Sequence, residues 1–191
     1  MDFAFTHDFN ILQHLTDTQL VHRTLQRKGD ATLAFAHLYG RYQRKVSAYV
    51  GAKVGYNHGI SDDVLQDTFM LAWHKLEQLK DHDKFFPWLI TIARNTALDV
   101  LRDKKRVNEI SHLLSIEEGA EEPFDLTQTE QLLATLAVLD REIVVMRAVL
   151  ESTFEDISQQ LNLTLSATKM RYYRALDKLK AEQSSLENMD V

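Results

Sequence analysis

Residues Ser61 to Arg106 read SDDVLQDTFMLAWHKLEQLKDHDKFFPWLITIARNTALDVLRDKKR. Apolar residues recur in this stretch at three- and four-residue steps, the period of helices with one buried side. It divides into two amphipathic helices joined by a short polar-aromatic loop, Asp81–Phe86, with Ser61 or Asp62 as the expected N-cap. On the first helix Leu65, Phe69, Ala72, Leu76 and Leu79 share the side expected to be buried, with Trp73 at its edge. Opposite lie Asp63, Gln66, Asp67, Met70 and His74, with Val64 and Leu71 off to one side. On the second helix Leu89, Ile90, Ala93, Ala97, Val100 and Leu101 form the core side, and Trp88, Ile92, Asn95, Asp99, Arg102 and Arg106 form the reverse. A helix pair with one buried side does not need two such different outer faces, so the segment is expected to touch two different partners.

The chemistry of each face suggests its partner. Exposed carboxylates beside a methionine and stray aliphatics suit a protein–protein contact. Aromatic rings beside a basic ridge suit single-stranded DNA, where rings stack on bases and arginines follow phosphates. Pro87 fits the first helical turn, where its missing N–H costs nothing. The bland alternatives are solvated faces, and aromatics at positions 85, 86 and 88 that simply fill the core.

Working outward, only 6 glycines and 2 prolines interrupt a mostly helical spacing, so the chain is predicted to be all-α. Residues 1–15 read as a leader. A helix capped by Thr16 or Asp17 runs to about Lys28, with Gly29-Asp30 as its stop. A longer helix carries Phe35, Leu38, Tyr42 and Val46, and GAKVGYNHGIS is a turn-rich break. Glu117–Asp125, with Gly119 and Pro123, is the linker signal. Two small helical domains are therefore expected, at 16–108 and 127–182, joined by an acidic linker at 109–126 and followed by a tail at 183–191.

The second domain opens with one helix expected over about Thr127–Leu150. Thr153-Phe154-Glu155-Asp156 then forms a capping box, with Asp in place of the usual Glu or Gln. The helix it starts ends at Leu161-Asn162, and a last helix runs from about Leu165 to Ala181. This has the length and turn chemistry of a helix–turn–helix. Thr168, Tyr172, Ala175, Leu176 and Leu179 face inward on the last helix. Arg171, Arg174 and Lys178 line the opposite side, with Ala167 and Met170 nearby and Ser166 at the start, placed to meet DNA.

The charge distribution agrees. The formal net charge of −6 argues against a protein that coats nucleic acid unaided. From Val107 to Asp140 there is no lysine or arginine, whereas Arg102, Lys104, Lys105 and Arg106 precede this stretch and Lys169–Lys180 follow it as a second basic cluster. Two basic patches around an acidic connection suggest two contacts on one polyanion. Zero cysteines exclude disulfides and thiolate metal sites and fit a reducing cytoplasm. No apolar run is long enough to span a membrane, and no export signal is expected. His7, His14 and His22 lack completing ligands, Asp81-His82-Asp83 is a loop triplet, and no phosphate loop or nucleophile motif occurs. No metal, cofactor or catalytic residue is predicted.

DVLQDTFMLAWHKL and FFPWLITIARNTALDVLRDKKR resemble region 2 of the extracytoplasmic-function (ECF) group of sigma-70 family factors, as does LTDTQLVHRTLQRKGDATLAFAHLYGRYQRKV upstream. REIVVMRAVLESTFEDISQQLNLTLSATKMRYYRALDKL resembles their region 4. The resemblance covers about Leu15 to Lys180 in the family's order. It implies a non-catalytic promoter-specificity subunit of core RNA polymerase. Asp63, Gln66, Asp67 and Met70 would then dock on the β′ clamp helices. Asp81, His82, Asp83, Lys84, Phe85 and Phe86 would capture a base of the −10 element, held further by Trp88, Asn95, Arg102 and Lys105. Ser166, Lys169, Arg171, Arg174 and Lys178 would meet the −35 element, with the β flap as a second docking site. A separate anti-sigma partner and a cytoplasmic location are implied on the same ground.

Ala137, Asn162 and Thr168 depart from the family's usual proline, glycine and aliphatic residue, so promoter preference does not transfer. Two other readings remain open: a helix–turn–helix regulator that works without polymerase, and a sigma mimic that never reads DNA.

Overall fold

The computed structural model describes residues 12–27, 29–113 and 126–187, the side chains of 108–113 and 186–187 excepted. All regular elements among the described residues are helical. Helix α1 (Asp17–Leu25) is followed by α2 (Ala31–Val54), α3 (His58–Lys75) and α4 (Phe85–Leu113). The second half contains α5 (Gln128–Ala134), α6 (Val138–Ala148), α7 (Phe154–Leu161) and α8 (Leu165–Glu187). Two 3-10 turns, Leu76–Gln78 and His82–Lys84, connect α3 to α4.

Side-chain caps set several starts. Thr16, Thr127 and Thr153 each accept from the N3 amide, and Gln19, Glu130 and Asp156 reach back to complete three capping boxes. Asn57, not Ser61 or Asp62, caps α3 by accepting from the Ile60 amide at 3.0 Å. The helix break is therefore only Gly55-Tyr56-Asn57. Gly55 lies at φ +81° and Tyr56 at φ +60°, and the Tyr56 ring packs where a Cβ on Gly51 would stand only 3.0 Å from it. Asn162 takes the left-handed conformation (φ +54°) between α7 and α8, as its amide chemistry allows.

The core of the first half draws on Leu20 and Val21 from α1, Leu38, Val46 and Tyr49 from α2, Val64, Phe69 and Ala72 from α3, and Phe85, Leu89, Ile90, Ala93 and Ala97 from α4. The buried side of α3 is turned relative to the sequence expectation. Val64 and Thr68 are fully buried and Leu65 only partly, because the Thr68 hydroxyl is satisfied by Val64 O at 2.6 Å and can enter the core. Leu12 is also buried, so the expected leader contributes at least this residue to the bundle. The remainder of that leader, residues 1–11, and the linker signal at Glu117–Asp125 lie outside the described residues.

Helix α4 continues to Leu113, past the position expected for the linker, and α8 continues to Glu187. The single helix expected over Thr127–Leu150 is two. Between them Thr135 turns its hydroxyl onto Leu132 O, and Ala137 adopts an extended conformation (φ −58°, ψ 145°) that starts α6.

The apolar core does not end at the first half. Ile143, Val145, Met146, Leu150, Ile157 and Leu161 join the same cluster, with α6 laid along α2. Leu136, Val144 and Ala175 form a smaller cluster that holds α8 to α6.

Candidate polymerase and promoter interfaces

Asp63, Gln66, Asp67 and Met70 all lie exposed on one side of α3, Met70 by 51%. Beside them runs a groove of about 590 Å³ lined by Phe35, Tyr39, Leu65, Phe69 and Trp73 together with Gln66 and Met70. Its rings meet edge to face, Tyr39 on Phe69 at 4.7 Å and Phe35 on Trp73 at 5.1 Å. Arg27 lies 4.6 Å over the Trp73 ring and donates to Trp73 O. Sequence periodicity places Leu65 and Phe69 on the buried side with Trp73 at its edge; the half-exposed Leu65 and Trp73 make the groove a surface feature continuous with the acidic face.

The Asp81–Phe86 loop is held at both ends. Asp81 accepts from the Asp83 amide, and the Asp83 carboxylate accepts from the Thr18 hydroxyl of α1. Lys84 pairs with Asp81 at 3.5 Å, and His82 is half-buried. The two phenylalanines separate. Phe85 is fully buried, packed against Tyr42 and Trp88, and does not reach the surface. Phe86 is half-buried, stacked on Tyr42 at 4.5 Å with the Lys45 ammonium 5.7 Å from its centroid. The Tyr42 hydroxyl donates to Asp17; burial, then that carboxylate, push its pKa up beyond the usual phenol range.

Along α4, Trp88 is half-buried against the core, while Asn95, Arg102 and Lys105 are exposed. Arg102 pairs with Asp99 at 3.0 Å and Arg106 with Asp103 at 3.5 Å, exposed pairs worth little energetically that orient the cationic ridge.

In the second half α7 and α8 make the helix–turn–helix. Thr164 caps α8 by accepting from the Ala167 amide, and the Thr168 hydroxyl returns to Thr164 O, which explains why a polar residue is tolerated at this buried position. Ser166, Lys169, Met170 and Arg174 are exposed. Arg171 is only partly so, its Nη1 donating to Asp140 of α6 at 2.8 Å. Lys178 donates to Thr135 O at 2.6 Å and so closes the C-terminus of α5. Of the five residues placed on the expected −35 face, Arg171 and Lys178 thus also fasten the domain. Phe154, which sequence reading used only as part of a cap, collects Tyr172 and Tyr173 with the cations of Arg147 and Lys169 around its ring.

Four helices bearing an acidic-apolar face and an aromatic-basic ridge, followed by a helix–turn–helix with a polar recognition helix, define a two-domain helical transcription protein. Residues 38–107 match the model of sigma-70 region 2, and residues 126–179 match that of sigma-70 region 4. The chain is 31% identical over 182 residues to RNA polymerase sigma factor NccH of Alcaligenes xylosoxydans xylosoxydans, covering 86% of this chain and 93% of that relative. It is 29% identical over 160 residues to RNA polymerase sigma factor CarQ of Myxococcus xanthus, covering 81% and 91%. Its fold is similar to that of CnrH, solved in complex with the cytosolic domain of CnrY, with a TM-score of 0.61, 26% identity, and coverage of 88% of this chain and 97% of that one. The chain belongs to the extracytoplasmic-function group of the sigma-70 family and is a promoter-directing sigma factor. No described helix is long and apolar enough to cross a membrane.

Proposed function

We propose that the two outer faces of the first half divide the work of initiation. Asp63, Gln66, Asp67 and Met70, with the adjoining aromatic groove, dock on the β′ clamp helices of core polymerase. Phe86, the polar groups of the Asp81–Lys84 loop and the Trp88–Asn95–Arg102–Lys105 ridge hold the opened −10 strand. Ser166, Lys169, Arg171 and Arg174 meet the −35 element, and the second half also docks on the β flap. The observation that carries this reading is the separation of chemistry on adjacent helices: α3 presents carboxylates and Met70 to the outside, while α4 presents cations. An acidic chain delivered to DNA by polymerase can keep its basic residues local.

CnrH was solved with a bound protein partner, and a partner of the anti-sigma type is proposed for this chain as well, in the cytoplasm where polymerase works. Transcription with purified core polymerase tests the whole reading. Initiation from specific genomic promoters that depends on this chain supports it. Failure to stimulate any genomic template would sink it and favour a mimic or a polymerase-independent regulator.

A further inference from the structure

The first turn of α1 does more than start a helix. Thr16 and Gln19 form its capping box, and the two residues between them, Asp17 and Thr18, both reach out to other elements. Asp17 uses both carboxylate oxygens: Oδ1 accepts from Arg41 Nη1 and Oδ2 from the Tyr42 hydroxyl. Arg41 also donates Nη2 to Leu15 O at 3.0 Å, so the chain entering α1 and the carboxylate on its first turn are tied to α2 together. Tyr42, fixed in this way at its hydroxyl, carries Phe86 on its ring, the centroids 4.5 Å and the planes 14° apart. Its contact with the buried Phe85 is tilted instead, at 5.9 Å and 42°. Thr18 reaches the loop itself: its hydroxyl donates to Asp83 Oδ1. Asp83 sits in the 3-10 turn His82–Lys84, where its amide donates to Asp81 Oδ1 at 3.2 Å and Lys84 pairs with Asp81 at 3.5 Å.

We propose that Asp17 and Thr18 are positioning residues for promoter reading, holding Phe86 and Asp83 in the arrangement that receives an unstacked base of the −10 strand. This rests on the −10 role given above to the Asp81–Phe86 loop. Asp81, Asp83 and Lys84 are exposed and Phe86 is half-buried, so packing alone does not fix them. An exposed side chain that orders only on binding loses rotamer freedom at that moment, and the loss is subtracted from affinity. A ring already stacked on Tyr42 and a carboxylate already held by Thr18 have lost it beforehand. Each support takes up only part of the group it holds. Tyr42 covers one face of the Phe86 ring, and Thr18 engages one oxygen of Asp83. Asp17 acts through Tyr42 and Thr18 through Asp83, so neither has to touch DNA.

The test uses the full chain assembled with core polymerase. The probes are single-stranded oligonucleotides carrying the −10 element of a promoter from which it initiates, matched or with each −10 base replaced in turn. Thr18→Val removes one hydroxyl at nearly constant shape, and Tyr42→Phe removes the other while keeping the ring. Each is expected to weaken binding of the matched oligonucleotide about three- to tenfold, the factor for freeing one or two side chains. Binding should not change where the captured base has been replaced, so discrimination at that base narrows. Thr18→Ser, which keeps the hydroxyl, is expected to bind like the parent. Tyr42→Phe is expected to cost nothing further in the Phe86→Ala background, because its effect passes through that ring. A merely structural defect would lower binding to every oligonucleotide by one factor, and that result would overturn the proposal. So would full discrimination in both variants: if Phe86→Ala alone loses it, the loop reads DNA without support from α1 and the −10 reading stands. If Phe86→Ala keeps it too, the −10 role of Phe86 fails and the proposal fails with it.

Discussion

The Tyr49 hydroxyl of α2 donates to Glu142 Oε1 of α6 at 2.7 Å, joining residues 93 positions apart in the chain. Both side chains are fully buried, so neither has water as a substitute partner. Tyr49→Phe keeps the ring packing and removes only the donor. The orphaned carboxylate oxygen then costs about 1–3 kcal/mol. Urea unfolding of the full chain should show a lowered midpoint of this size; an unchanged midpoint would mean that Lys53 and Arg94 satisfy Glu142 without the phenol.

The proposed docking face on α3, Asp63, Gln66, Asp67 and Met70, is exposed, which separates binding from folding. Asp67→Lys is expected to abolish co-purification with core polymerase while leaving the thermal unfolding curve within about 0.5 kcal/mol of the parent. Retained binding would move the docking site away from this face, towards the Phe35–Trp73 groove.

Adjacent phenylalanines should behave oppositely. Phe85→Ala empties a fully buried site and is expected to cost about 3–5 kcal/mol of stability. Phe86→Ala removes a half-exposed ring stacked on Tyr42 and should cost less in folding. Its larger effect should fall on binding of single-stranded −10 DNA by the polymerase complex, about 1–3 kcal/mol if one base stacks there. Equal DNA affinity for the Phe86 variant and its parent would exclude that base contact.

Much of this architecture was legible because helical periodicity and threonine caps are local signals. Thr16, Thr127 and Thr153 each begin a helix where their side chains predict one. Three features escaped for stated reasons. Thr68 looked polar but satisfies itself within its own helix, so the buried side of α3 was read about one residue out of phase. The break at Ala137 has no local signature, since alanine is the best helix former and the turn follows from packing α5 and α6 on α8. Arg141 and Glu142 look like an ordinary pair of charges on a helix, and only the fold brings Ala52, Lys53, Tyr49 and Arg94 to them. The candidate DNA residues were legible as types and spacing, but the burial of Phe85 and the engagement of Arg171 and Lys178 depend on long-range contacts.

Arg171 is committed to Asp140 through one nitrogen, which leaves the rest of its fork for DNA. Arg171→Ala is expected to weaken −35 recognition by about 1–3 kcal/mol if the contact is bidentate to guanine. Promoter binding by the holoenzyme on specific and scrambled −35 sequences decides it: equal losses on both would make Arg171 a phosphate contact. Asp140→Asn, which frees the guanidinium without removing it, should loosen α8 from α6 without the same loss of discrimination.

Alkaline titration probes the seam between the halves. Burial raises the Tyr56 pKa to about 12 from its ordinary 10.0, and burial followed by the Glu142 charge drives Tyr49 higher still. For a group whose folded pKa is raised, the unfolded state loses its proton first as pH climbs. The stabilisation is therefore complete below about pH 10 and declines as pH rises through the folded value. Phenolate absorbance should show a late phase in which Tyr49 and Tyr56 ionise above the usual phenol range, as the interface opens. Glu142→Ala, which removes the negative charge beside Tyr49 together with its links to Tyr49 and Lys53, should bring that late phase to lower pH. A titration in which the variant and its parent superimpose would show that these phenols are shielded by the first half alone.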